Sequence, residues 1–109
     1  MNLSTFAAIV ALATAAPAAG SAAATVHIRN FAFVPASLTV AAGATVRFVN
    51  DDAEAHTVTA TGGSFNSEGI DGGATWSHRF ATPGRFEYFC ALHPMMRATL
   101  IVTGAAAQP

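Results

Sequence analysis

The chain has 109 residues and carries five Arg, no Lys and six acidic side chains, for a net charge of −1. Charged residues make up 10% of it, against roughly 25% in an ordinary soluble domain, so it lacks the basic face that a nucleic-acid binder needs to neutralise phosphates. With 52% hydrophobic residues it is no charge-extended disordered chain, and its length suits one modest domain.

Residues 1–24 contain no charged side chain. An apolar run over residues 6–13 gives way to Ala, Gly, Ser and Pro around Pro17 and Gly20. This is the layout of a secretory leader, an apolar middle followed by small residues where a peptidase cuts. The sequence favours a cut between Ala24 and Thr25, with a cut after Gly20 second. No Lys or Arg precedes the run, so only the α-amino group supplies positive charge there. The run is shorter than the ~20 residues a membrane span needs, and Pro17 follows it closely. The chain is therefore expected to be exported to the periplasm and to meet the membrane only transiently, through this signal peptide. Residues 25–103 form the expected domain and residues 104–109 a disordered tail.

From Thr25 onward the hydrophobic pattern has a period of two, which indicates strands. Val26 and Ile28 share one face, as do Leu38 and Val40, and Val46, Phe48 and Asn50 share another. His56, Val58 and Ala60 follow, then Trp76, His78 and Phe80, then Phe86, Tyr88 and Cys90, then Ala98, Leu100 and Val102. Gly, Pro, Asn and Asp separate the runs, at Gly43, Asp51-Asp52, Gly62-Gly63, Gly72-Gly73 and Pro83-Gly84. Seven or eight short strands at this spacing predict an all-β fold, an antiparallel Greek-key sandwich or barrel. The expected domain is small enough to be marginal unless something reinforces it. The single cysteine, Cys90, excludes an intramolecular disulfide, so a bound metal is the natural candidate.

Cys90, His93, Met95 and Met96 lie within seven residues, in the loop between the last two predicted strands. A further histidine, His56, follows the acidic residues Asp51, Asp52 and Glu54 and opens a strand. A soft thiolate, two imidazoles and a weak thioether are the ligand set of a blue-copper electron-transfer site. Zinc gains little from a thioether. The acidic cluster reads as a solvated turn, His27 as a solvated strand residue, and His78 as a half-buried, hydrogen-bonded histidine.

The mature chain resembles the cupredoxins, nearest to the small amicyanin, pseudoazurin and plastocyanin-like copper proteins. The resemblance runs from Phe31-Ala32-Phe33-Val34-Pro35 through Gly43, Val46, Phe48 and Asn50, and on to His56-Thr57-Val58. It ends in Pro83-Gly84-Arg85-Phe86-Glu87-Tyr88-Phe89-Cys90, His93-Pro94 and Met96-Arg97. The short Cys-x2-His-x2-Met loop is the amicyanin-like version and implies His56, Cys90, His93 and Met96 as ligands of one type 1 copper. The same loop spacing places Met95 outside the ligand set. Two positions depart from the pattern. Thr57 stands where these relatives commonly have an Asn that ties the two ligand loops together, so its hydroxyl is expected to make a weaker tie, with help from Asn50. Leu92 stands where amicyanins have Pro, and its N–H is expected to donate to the Cys90 sulfur.

The resemblance implies a soluble one-electron carrier cycling Cu(II)/Cu(I), with His93 as the electron port and Ala91, Leu92, Pro94 and Met95 as its apolar rim. A redox partner, such as a periplasmic dehydrogenase, cytochrome or oxidase, would dock there, and the carrier is expected to be a monomer. Copper binding and delivery through the same ligands is the alternative. Cys–His enzymology fits less well, since Cys90 shares a strand face with Phe86 and Tyr88 and no segment suggests a substrate pocket.

Overall fold

The computed structural model describes residues 23–104. The expected leader lies outside the described residues except for Ala23 and Ala24, and the expected tail except for Gly104. Eight strands follow in order: β1 (Ala23–Ile28), β2 (Phe33–Val34), β3 (Ser37–Ala41), β4 (Ala44–Asn50), β5 (Thr59–Ala60), β6 (Thr75–Phe80), β7 (Gly84–Phe89) and β8 (Arg97–Thr103). They form two four-stranded sheets, β2-β1-β4-β6 and β3-β8-β7-β5.

The expected all-β sandwich is there, but its pairing is mixed rather than antiparallel throughout. β1 runs parallel to β4, and β3 runs parallel to β8. The reason is topological: β3 crosses to the second sheet, so the chain returns to β1's side in β1's own direction. A period of two reports which face is buried and is blind to strand direction. β2 is only two residues long and carries no period to read.

Alternation puts the core between the sheets. Val26 and Ile28 of β1 and Val46 and Phe48 of β4 are fully buried, as is Leu100 of β8, with Val102 beside it. Tyr88 of β7 bridges the layers, its ring 4.8 Å from that of Phe33 and 5.8 Å from that of Phe48, both edge-on. The edge-on approach sets the positive rim of one ring against the negative face of another. His78 departs from expectation. It is half-buried as anticipated, but among the described residues its ring makes no hydrogen bond and instead stacks on Trp76 at 5.0 Å and 17°. Burial pushes its pKa down, because the stacked site favours the neutral ring.

β1 and β2 join through Asn30 and Phe31, both with positive φ (54° and 58°). Arg29 and Ala32 exchange two backbone hydrogen bonds across them, at 2.9 and 3.1 Å. Two consecutive left-handed residues are the geometry a tight hairpin favours. Asn tolerates that conformation, whereas for Phe it is strained.

The Tyr88 hydroxyl is buried and has no hydrogen-bond partner among the described residues. A buried hydroxyl without a partner costs about 1–3 kcal/mol. Tyr88→Phe is therefore expected to leave the metal-free fold as stable or more stable, by up to about 1 kcal/mol in denaturant unfolding. A loss larger than that would place a hydrogen-bonded partner at the hydroxyl.

Candidate metal centre

Two connections meet at one end of the sandwich, β4 to β5 and β7 to β8. Cys90 is the residue after β7, so the alternation that buries Tyr88 also points Cys90 inward, and its side chain is fully buried. His56 is fully buried in the segment between β4 and β5, where it exchanges backbone hydrogen bonds with Ile70. His93 is half-buried in the loop from β7 to β8. Tight turning of that loop brings it back: the His93 N–H donates to the Cys90 carbonyl, the Met96 N–H to the His93 carbonyl, and the Cys90 N–H to the Met96 carbonyl.

The ligating atoms of His56, Cys90 and His93 all lie within 4.8 Å of one another. The Nδ1 atoms of His56 and His93 are each 3.7 Å from the Cys90 sulfur. A metal held about 2.0–2.1 Å from nitrogen and about 2.3 Å from sulfur keeps the two roughly 3.6–3.8 Å apart, for angles between tetrahedral and trigonal. The donor set and its spacing therefore fit one metal ion. Met96 is buried at the far end of the loop, and Met95 is 76% exposed.

The Thr57 N–H donates to the Cys90 sulfur at 3.3 Å, and the Thr57 hydroxyl accepts from the Ala91 N–H at 2.7 Å. This one residue thus links the two ligand loops twice. Thr59 steadies the hydroxyl at 2.8 Å. The expectation for Leu92 is corrected: among the described residues the N–H that reaches the sulfur belongs to Thr57. Leu92 lies inside the Cys90–His93 turn with a 56% exposed side chain, and its N–H makes no bond to the sulfur. Asn50 is fully buried, and among the described residues its side chain bonds only to the segments on the His56 side of the site. Its Nδ2 donates to the carbonyls of Glu54 and Ile70, and its Oδ1 accepts from the Asp52 N–H.

Two residues of the site escape sequence reasoning. Asp52 sits within the acidic turn, yet its side chain is only 11% exposed and its Oδ2 accepts from His56 Nε2–H at 2.9 Å. The same carboxylate accepts the N–H groups of Asn30 (2.7 Å) and Phe31 (2.9 Å). Burial pushes its pKa up, but the Phe31, Asn30 and His56 hydrogen bonds outweigh it and hold the carboxyl below the usual range. An ionised carboxylate only accepts, so the proton of His56 resides on Nε2 and Nδ1 keeps its lone pair for a metal. Phe31 is the second. Its ring stands edge-on to both His56 (5.0 Å) and His93 (4.9 Å) while remaining 43% exposed. Asp52 carries no signal beyond standing four residues before a histidine, which turn acids do commonly.

Gly72 also shapes this corner, since any Cβ there would collide with the backbone carbonyls of Asp52 and Ala53. Asp51, next in sequence, is a surface residue as expected, paired with His27 at 2.8 Å and Arg29 at 3.3 Å. Around His93, Ala91, Leu92, Pro94 and Met95 are all exposed, and Phe31 extends this apolar rim.

Thr57→Ala removes the hydroxyl bridge but keeps the N–H to sulfur. It is expected to cost about 1–2 kcal/mol of stability and to speed hydrogen exchange at the Ala91 amide. Asp51 provides a pH test. The His27 hydrogen bond, with lesser help from Arg29, holds its carboxyl below the ordinary value despite the opposing effect of burial. That stabilisation is complete above the unfolded carboxylate pKa and is lost as pH falls through the lower folded value. Asp51→Asn should therefore lower stability modestly near neutrality, with variant and wild type converging as pH falls, so that part of the acid limb flattens.

Comparison with known proteins agrees with this geometry. Residues 2–102 match the family model described as cupredoxin-like domain. Amicyanin of Paracoccus versutus is 30% identical over 82 residues, covering 71% of this chain and 62% of that protein. Amicyanin-alpha of Methylorubrum extorquens is likewise 30% identical over 82 residues, covering 71% of this chain and 69% of that one. Thus the chain spans a little under two thirds of the Paracoccus protein. Among solved structures, a methionine-to-alanine amicyanin variant in its Cu(I) form superposes with a TM-score of 0.69 at 26% identity, covering 73% of this chain and 81% of that one. A purple cupredoxin from Nitrosopumilus maritimus gives 0.67 at 26% identity, covering 73% of this chain and 99% of that one. With the sandwich, the two-imidazole, one-thiol cluster and the family match in agreement, the chain belongs to the cupredoxin-like family, as a distant homologue of the amicyanins.

Proposed function

We propose that this protein is a soluble, periplasmic one-electron carrier built on a single type 1 copper site. The observation that carries the reading is the placement of two imidazole nitrogens 3.7 Å from one buried sulfur, with His93 alone of the three residues reaching the surface. Copper, when bound, supplies the one-electron Cu(II)/Cu(I) couple.

The chain's own residues supply the rest. The Thr57 N–H donates to the Cys90 sulfur and would stabilise the negative charge that sulfur carries as a metal ligand. Asp52 holds His56 in the tautomer that ligates through Nδ1. Met96, buried beside the loop's closing hydrogen bonds, would supply the weak thioether, whereas the exposure of Met95 suits it to the rim. Zinc and copper would both accept the imidazoles and the thiolate, but the thioether favours copper. Four protein ligands leave no open position for a substrate, so the site suits outer-sphere transfer rather than catalysis. Held by hydrogen bonds within and between the connecting segments, the ligands would move little between oxidation states, which would lower the cost of transfer.

Transfer would proceed through the exposed edge of His93. Its rim of Ala91, Leu92, Pro94, Met95 and Phe31 carries no charge, so a redox partner would dock by apolar contact more than by electrostatic steering. A dehydrogenase, cytochrome or oxidase of the periplasm fits this role, with the carrier itself a monomer.

Adding Cu(II) to the purified mature protein tests the reading. An intense blue colour is expected, lost in Cys90→Ser, together with rapid electron self-exchange and slow copper loss to a chelator. A folded protein that stays colourless would falsify it. Slow electron exchange with fast copper release would favour delivery instead.

A further inference from the structure

The Asp52 carboxylate joins a ligand histidine to a strained surface turn, and neither contact follows from holding copper alone. Its Oδ2 accepts both the His56 Nε2–H and the Phe31 N–H, each at 2.9 Å, and its Oδ1 accepts the Asn30 N–H at 2.7 Å. The two amides belong to the consecutive positive-φ residues of the β1–β2 turn. For Phe31 that conformation is unfavourable, so the hydrogen bonds hold a backbone that would otherwise relax. What the strain secures is the ring position, edge-on to both ligand imidazoles. The carboxylate is itself fixed from behind, by the Asn50 Oδ1 bond to the Asp52 N–H and by the bare backbone of Gly72 against its carbonyl. Among the described residues no arginine pairs with Asp52, whereas the neighbouring Asp51 takes both His27 and Arg29. Its negative charge is therefore directed at His56.

We propose that Asp52 is an anionic positioning residue that biases the copper site toward Cu(II), lowering its reduction potential, and that pins Phe31 across the exposed edge of the two ligand histidines. The inference rests on the copper reading above. A carboxylate on the remote nitrogen raises the basicity of the imidazole, and the added electron density favours the more highly charged ion. A backbone carbonyl at the same place would fix the ring but bring no net charge. Asp52 thus adds a term that opposes the rise in potential expected from the thioether and from the N–H on the sulfur.

The test compares wild type, Asp52→Asn and Phe31→Ala as full copper-loaded chains, reading reduction potential, Cu(II) and Cu(I) affinities by competition, and the visible spectrum. In Asp52→Asn the amide oxygen can still accept from His56 and Phe31, whereas the charge and the acceptor for the Asn30 N–H are lost. Its Cu(II) affinity is expected to fall ten- to hundred-fold, within the range seen for such outer partners. Its Cu(I) affinity should change less, so the potential rises by about 59 mV for each ten-fold difference between the two. Phe31→Ala keeps the carboxylate and should shift the potential less while making the copper easier for a chelator to reach. An Asp52→Asn potential unchanged to within twofold in affinity ratio (about 18 mV) overturns the proposal. So does an Asp52→Asn chain that fails to fold, since the carboxylate is then needed only to build the turn. A wild-type protein that never turns blue defeats the copper reading itself, while a blue wild type with an unshifted variant defeats only this inference.

Discussion

The organising contact of this domain is the hydrogen bond from the Thr57 amide to the Cys90 sulfur, 3.3 Å long and fully buried. It connects the segment before β5 to the residue after β7, and every other feature of the site depends on that junction. A thiol sulfur at the end of a core strand would by itself be an ordinary small hydrophobe. One N–H directed at it, with two imidazole nitrogens at 3.7 Å, makes it one donor of a ligand cluster. The second Thr57 contact, hydroxyl to the Ala91 N–H, keeps the loop from drifting away from its anchor. A relative with Asn at this place would use a longer, amide-bearing side chain. Threonine achieves the bridge with a shorter reach because the two loops lie close together.

The site then grows outward in layers of decreasing rigidity. His56 is locked by its backbone pairing with Ile70, by Asp52 at Nε2 and by complete burial. His93 is anchored chiefly through its turn, and part of its ring faces solvent under the edge of Phe31. That asymmetry suits the proposed carrier role: one imidazole is fixed, the other reaches the surface. The acidic pair illustrates how differently two neighbouring carboxylates can be used. Asp51 makes exposed pairs of the kind that contribute little to stability, whereas Asp52, one residue on, is nearly buried and touches a ligand.

Much of this was legible in the sequence because burial in strands has a strict period. Val46, Phe48 and Asn50 alternate inward as their parity demands, and Tyr88 and Cys90 do the same. The Cys-x2-His-x2-Met spacing marked the loop, since a turn that closes over three residues brings Cys90 and His93 together without help from elsewhere. Strand direction was not legible, so the parallel pairs β1–β4 and β3–β8 emerged only in three dimensions. Nor was the donor to sulfur. Leu92 is near Cys90 in sequence, but a backbone N–H inside a tight turn has its direction set by the turn, and the amide aimed at the sulfur comes from a residue 33 positions away.

What the sequence by itself determined is the set of donors and the class of scaffold: one thiol, two imidazoles and a thioether on short alternating strands. These follow from residue type and local periodicity, which are properties of the unfolded chain as much as of the folded one. Apart from the Thr57 hydroxyl, whose tie the family resemblance already implied, the groups that surround the donors were decided by tertiary structure. Asp52 and Thr57 reach the site from the β4–β5 segment and Phe31 from a hairpin turn, through contacts spanning 21 to 34 residues in sequence for Phe31 with Asp52 and Ala91 with Thr57. Hydrogen bonds act over about 3 Å whatever the separation along the chain, so only the packing of the two sheets could say which carboxylate faces the ligand and which faces water.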